Sequence, residues 1–152
     1  MKIRLYNEAD LPRIISIYNK ARKNELILAG ISDAFIPLTE ETAATDLLVH
    51  TVIVAEENCR VVGFAAYSDS TLKWLYVNPI YSGQGIGTSL AHTAISSITE
   101  TGSRIVSVQV LDGNTPARRL YEKLGFTLRK TVPGIIPGTT IHIQVHCLDL
   151  QR

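Results

Sequence analysis

The stretch Leu75-Tyr76-Val77-Asn78-Pro79-Ile80-Tyr81-Ser82-Gly83-Gln84-Gly85-Ile86-Gly87 reads as a strand, a tight turn and a glycine-rich loop that opens a helix. The helix is predicted from about Ile86 to Thr99, with Leu90, Ala91, Ala94, Ile95 and Ile98 as its apolar stripe. A helix N-terminus carries unpaired N–H donors and a partial positive charge. Glycines at 83, 85 and 87 remove Cβ atoms and let an anionic group approach that backbone. Together they make a phosphate cradle whose natural guest is a diphosphate. The loop alone also fits a plain turn. Its Gly-x-Gly-x-Gly spacing departs from the dinucleotide G-x-G-x-x-G pattern, although Asp112 would suit a ribose-binding acid in a nucleotide-binding reading.

Working outward, Arg60 to Tyr67 and Thr51 to Glu56 are rich in Val, Ile, Phe and Ala. The short polar break Glu57-Asn58-Cys59 makes them a hairpin, and Thr71 to Val77 follows as a third antiparallel strand. Lys2 to Tyr6 alternates like a strand. A helix enters at Asn7 to Asp10 and shows Leu11, Ile14, Ile15 and Tyr18 at helical spacing. Asn24 to Pro37 reads as a connection, and Thr39 with Thr42 through Leu48 as a second helix. After the loop helix come a strand from Arg104 to Leu111 and a helix capped by Asn114 and ended by Gly125. Two closing strands, Phe126 to Val132 and Thr139 to Leu148, flank the turn Pro133 to Gly138. The order β-α-α-β-β-β-α-β-α-β-β predicts a mixed α/β sheet in one domain over residues 1–152.

Composition bounds the function. Apolar residues are 45% and charged residues 19% of 152, a globular balance. The net charge of +1 gives no global field for nucleic acid or an anionic membrane, so neither is expected as a partner. No apolar run spans a bilayer, and Met1 to Asp10 lacks the core of a signal peptide, so the cytoplasm is the expected compartment. Cys59 and Cys147 stand far apart and are expected as two buried thiols.

The chain resembles the GNAT superfamily of acyl-CoA-dependent N-acyltransferases. The resemblance rests on Gly63, Leu75-Tyr76-Val77-x-Pro79, Gly85-Ile86-Gly87-Thr88-x-Leu90, and Asn114-x-x-Ala117-x-x-x-Tyr121-Glu122-Lys123-Leu124-Gly125-Phe126. It implies a GNAT fold: a twisted, mostly antiparallel mixed sheet of about seven strands, flanked by about four helices, with a splayed-strand cofactor cleft. It also implies transfer of an acetyl group from acetyl-CoA to a primary amine by direct attack through a tetrahedral intermediate, with no metal. Leu75, Tyr76 and Val77 would pair with the pantetheine arm, as a guest strand pairs with a sheet edge. Ser82, Gly83, Gln84, Gly85, Ile86, Gly87 and Thr88 would hold the pyrophosphate. Ser82 stands where the family has Arg or Gln, which shifts the expected grip from a side chain to backbone donors. Asn114 would cap its helix and reach the cofactor arm.

Tyr121 is the expected catalytic acid. Amine attack expels a thiolate, and a phenol of ordinary pKa near 10 is a suitable proton donor to it. The same residue also fits a core aromatic on the stripe of Ala117, Leu120 and Leu124. The general base is not visible, because Leu72-Lys73-Trp74-Leu75 has no carboxylate. Glu40, Glu41, His142 and His146 are the candidates. His142 and His146 share a strand face about 13 Å apart, too far to chelate one metal. The acceptor is open between small amines, amino acids, antibiotics and proteins. A homodimer through edge strands is possible, and a non-catalytic acyl-CoA sensor is the alternative function.

Overall fold

Val52 and Val54 of one strand pack on one side of the sheet, and Ile53 and Ala55 on the other. The central run of that strand, Val52 to Ala55, is apolar on both sides because helices cover both of its faces. In the computed structural model, which describes residues 1–152, the strands are β1 (Lys2–Leu5), β2 (Thr51–Glu57), β3 (Arg60–Ser68), β4 (Thr71–Val77), β5 (Ile105–Leu111), β6 (Thr127–Ile135) and β7 (His142–Gln151). They form one sheet of order β1-β2-β3-β4-β5-β7-β6. Every neighbouring pair is antiparallel except β4 with β5. Helices α1 (Leu11–Leu28) and α2 (Glu40–Asp46) bury Ile14, Ile17 and Ala43 on one face, with Leu47 just after α2. Helices α3 (Ile86–Glu100) and α4 (Thr115–Lys123) bury Leu90, Ala94, Ile98 and Tyr121 on the other. The expected mixed, mostly antiparallel sheet of seven strands with four helices is therefore present. No helix is long and apolar enough to cross a membrane.

Three local expectations are corrected. The connection predicted from Asn24 begins later, because α1 continues to Leu28. Nothing in Lys20 to Leu28 breaks a helix, and the stop is Gly30. The N–H of Gly30 bonds the carbonyl of Ile27, and that of Ile31 bonds Leu26. These are the paired bonds of a Schellman ending. Next, β6 runs through Pro133 and Gly134 instead of turning there. Proline cannot donate to a ladder, yet β6 is the last strand of the sheet and has a free edge. The turn and β7 shift toward the C-terminus accordingly. Lastly, Cys147 is buried but Cys59 is exposed. Asn58 and Cys59 form the two-residue β2–β3 turn with φ of 49° and 62°, outside the core.

One buried carboxylate ties the N-terminus together. Asp10 receives two hydrogen bonds from Arg4, at 2.8 and 2.9 Å, and one from the N–H of Asn7 at 2.9 Å. The bonds from Arg4 hold its carboxyl below the ordinary range, against the opposing effect of burial. A lowered folded-state pKa means stability that is present above about pH 4 and lost as pH falls through the folded value. Asp10→Asn is expected to cost about 2 kcal/mol at pH 7, since it weakens bonds to a charged group. The gap to wild type should narrow in urea unfolding at pH 3; an equal gap at both pH values would refute the assignment.

The site is positioned by the β4–β5 junction. These strands share a single register pair, Thr71 with Ser107, supported by a 2.9 Å bond from the Ser107 N–H to the carbonyl of Ser70. Beyond it they separate toward Val77 and Leu111. The N–H of Asn78 bonds Val62 of β3 at 2.8 Å. By strand alternation the backbone groups of Tyr76 face β3, while those of Leu75 and Val77 face the gap.

Candidate active site

Three adjoining cavities follow the gap. The first, of about 370 Å³, lies under the glycine loop and is lined by Leu75, Val77, Ser82, Gly85, Gly87 and Tyr121 among others. The second, of about 300 Å³, shares Leu75, Val77, Ser82 and Tyr121 with the first and adds Glu25, Tyr76 and Asn114. The third, of about 600 Å³, shares Glu25, Lys73, Tyr76 and Gln109 with the second. A continuous path therefore leads from the loop, through the split sheet, into a wider chamber.

The loop end is a set of open donors. No N–H from Gly83 to Thr88 meets an acceptor within the protein. Gly85 precedes the helix with φ of +81°, a left-handed conformation that glycine takes without strain, and the loop it belongs to lines the cavity. At Gly87 a Cβ would lie 3.2 Å from the Leu120 side chain of α4, a tight contact that the leucine would have to ease by a few tenths of an ångström. Ser82 Oγ donates to the carbonyl of Pro79 at 2.8 Å, so its proton is held within the turn. Gln84 is exposed and its side chain lines none of the three cavities. This backbone set and the open edge of β4 fit a diphosphate followed by an amide-bearing arm.

Helix α4 explains the spacing of its motif. Asn114 Oδ1 accepts the N–H of Ala117 at 3.3 Å and starts the helix. Gly125, with φ of +102°, ends it. The N–H of Gly125 bonds Glu122, and that of Phe126 bonds Tyr121. The apolar contact that accompanies such an ending joins Tyr121 to Phe126, edge to face at 5.4 Å. The ring is thus fixed between helix and sheet. Tyr121 lines both inner cavities, and its hydroxyl takes part in no hydrogen bond within the protein and opens on the cavity space. Burial first, and then the charge of Glu25, push the phenol well above its ordinary value.

Glu25 stands at the junction of the second and third cavities. Its Oε1 accepts from Arg22 at 2.7 Å and from the Tyr76 hydroxyl at 3.0 Å. Its Oε2 accepts from Asn114 Nδ2 at 3.1 Å. One carboxylate so ties α1, β4 and the start of α4 together. Tyr76 is half-buried, and desolvation followed by the Glu25 charge raises its phenol well above the ordinary value, so it acts as a donor.

The family model described as an acetyltransferase (GNAT) domain matches residues 49–128. The chain belongs to the GNAT acetyltransferases. Across its length it is 30% identical to the L-methionine sulfoximine/L-methionine sulfone acetyltransferase of Salmonella typhimurium, over 89% of this chain and 85% of that protein. It is 28% identical to the L-amino acid N-acyltransferase MnaT of Escherichia coli, over 89% and 84%. Among solved structures, the ribosomal-protein-alanine N-acetyltransferase of Brucella melitensis has the same fold, with a TM-score of 0.82 at 24% identity and full coverage of both chains. YncA of Salmonella typhimurium, solved with its cofactor acetyl-CoA, has a TM-score of 0.75 at 25% identity, covering 99% and 92%. This GNAT chain is an N-acetyltransferase that uses acetyl-CoA.

Most residues expected from the sequence converge on the GNAT cleft: Leu75, Tyr76, Val77, Ser82, Gly83, Gly85, Ile86, Gly87, Thr88, Asn114 and Tyr121 line it. The four candidate bases do not. Glu40 and Glu41 are exposed at the start of α2. His142 and His146 share a face of β7, and it is the opposite face, with Ile143 and Val145, that lines the chamber. His146 is engaged outside, with Asp112 at 3.0 Å and Thr131 at 2.8 Å. Asp112 is thereby a partner of His146. Glu25 escaped the sequence reading because it fell in the supposed connection. One signal was present: Tyr18, Arg22 and Glu25 continue the stripe of α1 at spacings of four and three, and a charged pair on a buried stripe needs a purpose.

Proposed function

We propose that the 152 residues act as one catalytic unit, with Glu25 as the general base, Tyr121 as the acid and the wide chamber as the acceptor site. The observation that carries the reading is the position of Glu25 in the wall common to the inner cleft and the chamber. The N–H groups from Gly83 to Thr88 hold the donor's diphosphate, and the open edge at Leu75 and Val77 takes its arm. The acceptor nitrogen attacks the thioester carbon directly. As the C–N bond forms, the Val77 N–H supports the charge on the carbonyl oxygen. The new ammonium is strongly acidic, and Glu25 takes its proton, directly or through one water. The C–S bond then breaks, and Tyr121 gives its proton to the sulfur.

The relatives named above act on L-methionine sulfoximine, L-methionine sulfone and L-amino acids. Their names favour a small amino-acid-like amine as the acceptor here. A panel of such amines with acetyl-CoA tests this: thiol should be released steadily with an amine present, and its absence with every member would sink the reading.

The grip on the donor has its own test. An alanine at Gly85 must hold φ near +81°, which costs about 1 kcal/mol and turns the neighbouring N–H groups off target. Gly85→Ala is expected to raise the KM for acetyl-CoA about tenfold with little change in kcat. An unchanged KM would remove the loop from the binding site.

A further inference from the structure

We infer that the chamber selects zwitterionic amino acids with apolar side chains and that Arg22 holds their carboxylate. The inference rests on the acceptor reading above and adds how the acceptor is chosen.

The Arg22 side chain is 15% exposed and lines the chamber. A guanidinium has five N–H donors. Here one nitrogen bonds Glu25, and the others make no bond within the protein and are not sealed in it, so they open on the chamber. A mostly buried fork whose remaining donors face a chamber invites a planar anion, which it can grip with two parallel bonds. Glu25 lies one helical turn further on, in direct contact. An α-amino acid carries its ammonium and carboxylate on one carbon, so its head group matches this adjacent pair. The ammonium then meets the group proposed as base, and the carboxylate meets Arg22.

The charges of the chamber agree. Arg22 and Lys73 are balanced by Glu25 and Asp46. This set suits a neutral zwitterion better than a dication or a dianion. The charges also lie on one side, on α1, α2 and β4. The opposite wall is apolar apart from Gln109: Leu111, Val132, Ile136, Ile143 and Val145 from β5 to β7, with Ile36 from the α1–α2 connection. Leu26, Ala34 and Ile136 form a small buried core behind it, with Leu111 and Ile143 packed on that core, so the wall is fixed. An apolar side chain is favoured there, and a second carboxylate is penalised.

The test compares leucine, 3-methylbutylamine (leucine without its carboxylate) and glutamate as acceptors, by thiol release from acetyl-CoA. Wild type should show kcat/KM for leucine at least a hundredfold above the amine and at least thirtyfold above glutamate. In Arg22→Gln the leucine-to-amine ratio should collapse to within about threefold of one. If that variant loses all turnover through its contact with Glu25, Arg22→Lys decides, since it keeps a cation there without the fork. A ratio at least tenfold below wild type supports the proposal, and an unchanged ratio overturns it. Equal use of leucine and the amine by wild type overturns the role of Arg22, and equal use of leucine and glutamate overturns that of the apolar wall. In both cases the proposed acetyl transfer stands. If no amine of a wider panel releases thiol, both readings fall.

Discussion

Glu25→Gln is expected to lower kcat at least a hundredfold while acetyl-CoA binds with an unchanged Kd. Glutamine keeps the size of the side chain, and its amide oxygen still accepts from Tyr76 or Asn114. What it loses is the ability to take a proton. General-base catalysis by a placed side chain is worth about 10²–10⁴ in rate, so a hundredfold is the lower end. The measurement is steady-state thiol release at saturating amine, with calorimetry for the cofactor. A variant within threefold of wild type would eliminate Glu25 as base. A variant that also loses cofactor binding would instead make Glu25 a brace between α1 and α4, through its 3.1 Å bond to Asn114.

Tyr121→Phe is expected to cut kcat at least tenfold, again with cofactor affinity intact. The phenyl ring keeps its packing against Phe126, so unfolding should shift by less than about 0.5 kcal/mol. The pH dependence is also informative. Because the phenol is raised above its ordinary value, it stays protonated beyond pH 10. The wild-type rate should therefore not fall between pH 8 and 10 for want of this proton, and the variant's profile should run parallel and lower. A fall in wild type that the substitution abolishes would show an ordinary, solvated phenol in its place.

The parts legible in the sequence were those that act within a few residues of themselves. Gly85 and the free N–H groups after it need only their own loop. Asn114, Tyr121, Gly125 and Phe126 are the start, body and stop of one short helix. The illegible parts depend on distant partners. Glu25 gains its place from Tyr76 and Asn114, which lie 51 and 89 residues away in sequence. The face of β7 that meets the chamber is set by pairing with β5 and β6, so the histidines could not be assigned to a side beforehand. Pro133 signals a turn unless the strand is known to be the last in its sheet, which is a property of the whole topology.

The closed ends of α4 carry one more implication. Between Asn114 and Gly125 the helix has a fixed number of residues, and each turns the next by about 100°. Lengthening this segment by one residue would keep both ends intact and swing the Tyr121 hydroxyl a quarter-turn around the axis, out of the cleft. The proposed acid is therefore indexed by count as well as by identity, and this stretch admits exchanges of side chains far more readily than insertions or deletions.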